Sequence, residues 1–233
     1  MAGRRRRWGL RFLVALALLV VIGLLVGPRL LGFLGRYLIT EDPLDKADAI
    51  VVLSEPMEAA ELYRAGWAPR VILSDSQKPA GYYELAARGL RLPSGLEGRE
   101  RVVEFLGVDR GAVDRIEQDF GSTLELACGV VRHARSRRYR TLIVVTDQFH
   151  TTEAAKVLAL LSDGDPRTIV RPSRYTIVRD GRWWRSRAAA RDLLFKYEDL
   201  LDYWRIAAQA RLAGWILAVA GKPRTAFEAL CGP

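Results

Sequence analysis

The chain has 233 residues, with 36 Lys plus Arg against 27 Asp plus Glu, a formal net charge of +9. Residues 1–11 hold five arginines and no acid, so only +4 remains on the rest; no nucleic-acid motif accompanies it, and a nucleic-acid partner is not expected. A hydrophobic content of 50% with 27% charged residues excludes global disorder, and two Cys with two His exclude a disulfide-built scaffold or a Cys-rich zinc module, so no metal site is read.

Residues 12–26 carry no charge, and residues 8–28 are interrupted only by Arg11. With Arg11 snorkelling towards the headgroups and Trp8 at the interface, roughly 20 residues can span a bilayer. A cleavable signal peptide and a buried soluble helix are the alternatives. The first is disfavoured because Val26-Gly27-Pro28-Arg29 lacks a clear small-x-small cleavage site and residues 30–34 stay apolar. The expectation is an uncleaved single-pass anchor in the plasma (inner) membrane, with the arginine cluster cytoplasmic and residues from about 41 outside. Soluble cytosolic cofactors such as ATP and NAD are not maintained there, so no cofactor is assigned. An oxidising compartment permits a Cys128–Cys231 disulfide, although spacing does not show whether the two come within range, and Cys128 also reads as a small apolar helix residue.

Residues 1–40 are thus read as arginine cluster, anchor and juxtamembrane segment, and residues 41–233 as one domain. Residues 49–53 form a short, β-branched apolar run, as in a strand buried on both faces. Pro56 opens a helix carrying Ala59, Leu62 and Tyr63 on one face and closed by Gly66. Residues 70–74 make a second strand, followed by a polar, glycine-containing stretch to about Gly98. Val102, Val103, Phe105 and Leu106 mark a short helix, and residues 113–116 a brief strand. A helix over residues 122–138 places Leu124, Ala127, Cys128, Val131 and Ala134 on one face. Residues 141–146 are the clearest strand, Ala154, Val157, Leu158 and Leu161 the next helix face, and residues 168–170 a further strand. A carboxyl-terminal helix uses Leu193, Tyr197, Leu200, Leu201 and Trp204. Residues 213–220 are apolar but too short to cross a bilayer, which leaves membrane-surface or domain packing. Alternating strands and helices imply right-handed crossovers and an α/β, Rossmann-like three-layer domain with a mostly parallel sheet.

In such sheets ligands bind outside the carboxyl ends of the strands. The loops there offer Ser54 and Glu55, then Ser74, Asp75 and Ser76, then residues 117–123, and finally Thr146, Asp147, Gln148, Phe149 and His150. GxGxxG, GxxxxGK[ST] and GxSxG are all absent, which weakens dinucleotide, P-loop and α/β-hydrolase readings. Ser122 followed three residues later by Glu125 is a capping pattern; its functional reading is anion binding by Ser122, Thr123 and free helix N–H groups. His150, directly after the clearest strand, reads as an acid, base or phosphate contact, or else as a local cap. His133, in the arginine-rich stretch 132–140, reads as solvated helix surface. That basic face offers contact with anionic lipid headgroups, and Trp183 and Trp184 read as packing residues.

Several motifs together resemble the DUF218 family of YdcF-, SanA- and ElyC-like proteins. They are residues 48–53, the Ala-Glu-Leu-Tyr-Arg-Ala-Gly run at 60–66, residues 70–74, Leu106-Gly107-Val108, Ser122-Thr123-x-Glu125-x-Ala127, and Val144-Val145-Thr146 with Phe149-His150. These pieces cover residues 45–160, about half the chain. Trp183-Trp184 with Arg191, Lys196 and Tyr203 resembles the tail of membrane-anchored members. The family's acid before the Gly-Val step corresponds to Glu97 or Glu100. The chain departs from the pattern where Ser54-Glu55-Pro56 replaces a glycine-rich turn and Ser74-Asp75-Ser76 replaces Ser-Gly-Gly, removing glycines that let backbone approach a ligand closely.

The resemblance implies a Rossmann-like domain serving bacterial cell-envelope biogenesis from a single anchor, without implying a settled reaction. The expectation is a protein that binds or processes a phosphate- or sugar-containing, lipid-linked precursor. Glu125 and His150 would handle protons, with Asp75 and Asp147 as further candidates, and Ser54, Ser74, Ser122, Thr123 and Thr146 would hold the substrate or its anion. Alternatives are a noncatalytic envelope regulator or scaffold, and a nucleotide- or S-adenosylmethionine-binding enzyme. Whether the chain has protein partners is not indicated.

Overall fold

The computed structural model describes residues 2–76, 78, 80–90, 93–175, 181–219 and 225–232. Among these residues five strands, β1 (Ala49–Val52), β2 (Val71–Ser76), β3 (Val113–Phe120), β4 (Thr141–Thr146) and β5 (Arg167–Pro172), form a parallel sheet in the order β3-β2-β1-β4-β5. Helices cover both faces. Ile50, Val52, Val71, Leu73, Ile143 and Val145 pack against α2 (Pro56–Arg64) and α4 (Gly95–Phe105). The alternate residues Ala49, Val51, Ile72, Leu142 and Val144 pack against α5 (Thr123–Arg137), α6 (Thr151–Ser162) and α7 (Arg187–Val219). This double cover explains the unbroken apolar runs, because neither face meets water. The fold is the expected α/β, Rossmann-like arrangement. Its strand order reverses between β1 and β4, and open parallel sheets hold ligands at the carboxyl edge near such a reversal.

Local chemistry sets the helix ends. Glu55 caps α2 by accepting from the Met57 amide at 2.8 Å, Pro56 occupies the first turn, and Gly66 at φ +73° takes the left-handed position after it. Gly129 on α5 has a different purpose. A Cβ there would lie 2.4 Å from the Phe120 ring, so the missing side chain is what lets α5 lie close on β3.

The structure departs from the predicted elements in places. β2 continues to Ser76, making Ser74 and Asp75 strand residues rather than loop residues. β3 runs to Phe120 instead of ending near residue 116, because a register shift between Ser74 and Asp75 lets this alternating edge strand keep pairing. The stretch before Gly98 contains α3 (Ala80–Ala87) and the start of α4, where Ser94 and Glu97 form a reciprocal capping box. α7 runs 33 residues and absorbs positions 213–219, while Ala220 lies outside the described residues.

His133 is not solvated. Its side chain is 15% exposed, and Nε2 lies 3.4 Å from Oδ2 of buried Asp114, which also accepts from Arg70 and from the Tyr139 hydroxyl at 2.7 Å. Cys128 is more than a small packing residue. It is disulfide-bonded to Cys231 with the Cα atoms 5.7 Å apart, which ties the short helix α8 (Ala226–Cys231) to α5.

The amino-terminal helix α1 (Ala2–Tyr37) contains a stretch, Leu13–Tyr37, long and apolar enough to cross a membrane, with a mean hydropathy of 2.5 over an 18-residue window. Its carboxyl end is fixed to the domain. Trp183 Nε1 donates to the Leu31 carbonyl at 2.9 Å, Tyr197 donates to the Leu34 carbonyl at 2.8 Å, and the Thr152 amide donates to the Leu38 carbonyl at 3.2 Å. A Cβ at Gly35 would approach Trp183 Cδ1 to 2.8 Å, so Trp183 serves in packing, as expected.

Candidate functional site

A cleft of about 430 Å³ opens at the carboxyl edge of the sheet, between the ends of β1, β2 and β3, the amino end of α5, and α6 and α7. Its polar wall contains Ser74 and Asp75 from β2, Arg99 from α4, Ser122 and Thr123 at the start of α5, and Glu153 from the first turn of α6. Leu53, Phe120, Leu126, Val157 and Tyr203 supply an apolar wall, and Asp199 and Asp202 of α7 stand at the rim.

Ser74 is 1% exposed, and its hydroxyl oxygen has no hydrogen-bond partner among the described residues. A buried hydroxyl without a partner costs free energy unless something satisfies it, so one aimed at a cleft marks a place where a ligand group fits. Beside it, Asp75 Oδ2 pairs with Lys78 Nζ at 3.1 Å, and Gly95 keeps the opposite side open, since a Cβ there would lie 2.9 Å from Asp75 Oδ1. Arg99 donates to the Ser74 carbonyl at 2.8 Å. Burial lowers its pKa below the usual arginine value, with Asp75 and Asp147 opposing the shift. A guanidinium so poorly hydrated gains more than an exposed one from an anion within hydrogen-bonding reach.

The amino end of α5 is organised by its cap. Ser122 Oγ accepts from the Glu125 amide at 3.2 Å, and Glu125 Oε2 accepts from the Gly121 amide at 2.8 Å. Glu125 is therefore engaged in the turn and exposed, outside the cleft lining. The capping reading describes it. This cap leaves the first-turn amides of Thr123 and Leu124 directed to the cleft end of the helix, where the helix dipole favours negative charge.

His150 stands behind this wall. Nδ1 lies 3.0 Å from Thr146 Oγ1, and Nε2 lies 3.0 Å from Glu153 Oε2 and 3.4 Å from Thr123 Oγ1. A carboxylate opposite Nε2 calls for a proton on that nitrogen, and Nδ1 faces the Thr146 hydroxyl. Burial pushes the Glu153 pKa up, but hydrogen bonds from His150 and Thr123, with the charges of His150 and Lys196, bring it below the ordinary glutamate value. The cleft therefore holds an ionised carboxylate, positioned by an imidazole, that is ready to accept a proton or a ligand hydroxyl.

Of the predicted residues, Ser74, Asp75, Ser122 and Thr123 meet in the cleft, and Thr146 and His150 join through Thr123 and Glu153. Ser54 does not line it, although its hydroxyl is likewise buried without a partner among the described residues, and Asp147 is exposed and acts on the site through its charge near Arg99. Glu97 is engaged in the α4 cap and Glu100 pairs with Arg115 at 3.2 Å. Sequence reasoning passed over Glu153 and Arg99. The signals were there: Glu153 is three residues after His150 on the first turn of a helix, and Arg99 falls on the same stripe of α4 as buried Leu96 and Val103. No family model, curated protein or solved structure matches the chain.

Proposed function

We propose that this chain is a membrane-anchored, extracytoplasmic protein that binds or processes a phosphate- or sugar-containing, lipid-linked precursor of the bacterial envelope, as its resemblance to the DUF218 family implies. The observation that carries the reading is the composition of the cleft. It combines an anion-attracting end, made by the α5 amides and Arg99, with the unpartnered Ser74 hydroxyl and the carboxylates of Asp75 and Glu153, which suit sugar hydroxyls. The helix α1 supports anchoring, the arginines at 4–7 and 11 support a cytoplasmic amino terminus, and the Cys128–Cys231 disulfide agrees with an oxidising compartment.

Binding without turnover is the second reading. It is favoured by the position of His150, which has both ring nitrogens engaged and touches the cleft only through its neighbours. The test uses full-length protein in lipid nanodiscs, titrated with polyprenyl phosphate and polyprenyl diphosphate-sugar and assayed for phosphate or sugar release. Arg99→Ala and Glu153→Gln should each weaken binding at least tenfold. Affinities equal to wild type in both variants would remove the cleft assignment, while binding without release would leave the noncatalytic reading.

A further inference from the structure

A second concavity lies on the other side of the 148–150 turn, between α1 and the segment preceding α7. This groove of about 790 Å³ is lined at one end by Leu24, Leu25 and Pro28, and at the other by Arg29, Arg36, Arg182 and Trp184, with Gln148 and Phe149 from the turn that carries His150. Gly32 and Gly35 form its floor. A Cβ on Gly32 would meet Arg36 Nη1 at 3.4 Å, so the guanidinium lies over the side-chain-free strip of the helix.

The groove has the polarity gradient of one leaflet. Arg11 and Arg29 are the charges that bound the apolar stretch, and their separation of 18 positions along the helix spans about 27 Å, close to the thickness of a hydrocarbon core. With α1 in a bilayer, Leu24 and Leu25, 71% and 59% exposed, lie at acyl-chain depth. Arg29 then lies at the boundary and Arg36 about 10 Å beyond it, among headgroups, where an indole such as that of Trp184 is favoured. Among the described residues no carboxylate forms an ion pair with Arg29 or Arg36; Arg29 Nη1 donates to the Leu25 carbonyl at 2.5 Å.

We infer that this groove binds one anionic glycerophospholipid of the surrounding bilayer, its acyl chain along Leu24 and Leu25 and its phosphate between Arg36 and Arg182. The inference rests on the anchored reading above. A lipid held there also touches Gln148 and Phe149, adjacent in sequence to His150, so occupancy bears directly on the turn behind the cleft.

Delipidated full-length protein in detergent, titrated with phosphatidylglycerol or phosphatidylcholine and followed by native mass spectrometry, tests it. One phosphatidylglycerol should bind at least tenfold more tightly than phosphatidylcholine. An Arg36→Ala, Arg182→Ala double variant with an unchanged melting curve should lose that preference, and Gly32→Leu should block both lipids. Arg110→Ala, far from the membrane helix, should match wild type. Equal affinity for the two lipids, an unaltered double variant, or tighter binding of polyprenyl phosphate than of phosphatidylglycerol would overturn the inference. Alkaline carbonate extraction of membranes separates the two levels: release of the protein overturns anchoring and the lipid site together, whereas retention with equal lipid binding overturns the lipid site alone.

Discussion

Glu153 Oε2 lies 3.0 Å from His150 Nε2, and of the two it is Glu153 that faces the cleft. The imidazole thus acts on a ligand through the carboxylate it orients. Glu153→Gln keeps the shape but removes the charge, and a neutral amide opposite His150 should cost about 1–3 kcal/mol of stability, seen as a lower melting temperature. His150→Ala should lower ligand affinity less than Glu153→Gln. The opposite ranking, measured by titration calorimetry, would place His150 rather than Glu153 in contact with the ligand.

Acid sensitivity should concentrate at the far edge of the sheet. Burial alone would raise the Asp114 pKa, but hydrogen bonds from Tyr139, Arg70 and His133 bring it below the ordinary value. A carboxylate depressed in the folded state contributes fully above its unfolded pKa, and that contribution is lost as pH falls through the folded pKa. Stability should therefore decline below about pH 4, where an unfolded aspartate titrates. Asp114→Asn should cost roughly 3 kcal/mol at neutral pH, as expected when one partner of a buried pair is removed, and flatten this acid limb. Chemical denaturation across pH 2–7 measures both.

The Cys128–Cys231 bond closes a loop over a sequence separation of 103 and holds α8 against α5. Cross-linking that much chain restricts the unfolded state, so Cys231→Ser should lower stability by about 2–4 kcal/mol, and reductant should do the same to the wild type while leaving the variant unchanged. Non-reducing gels of cells treated with a thiol-alkylating agent give an independent reading: unmodified cysteines support the extracytoplasmic placement, and modified ones count against it.

Gly129→Ala puts a methyl group 2.4 Å from the Phe120 ring, which is buried against α5 and also lines the cleft. Overpacking of this kind costs about 1–3 kcal/mol. Because α5 must lift off β3 to relieve it, ligand affinity should fall together with the melting temperature. A Gly129→Ala protein as stable as wild type would show that α5 sits less closely on β3 than the structure has it.

The sheet, the helix faces, the Ser122 cap and the apolar amino-terminal helix were legible in sequence because each depends on local periodicity: β-branched runs, i and i+3 or i+4 spacing, a hydroxyl before a glutamate. What surrounds His150, Ser74 and Asp114 was less so. Glu125 and Glu153 stand at the same depth in the first turns of neighbouring helices, yet one closes its own turn and the other meets the imidazole. Arg99 is directed to the cleft by the way α4 lies on the sheet, His133 is covered because β3 places Asp114 opposite it, and Cys231 reaches Cys128 only once α8 folds back. Repeating patterns report which side of an element is buried. Pairings between elements depend on strand register and helix placement, and those are settled only when the whole core packs.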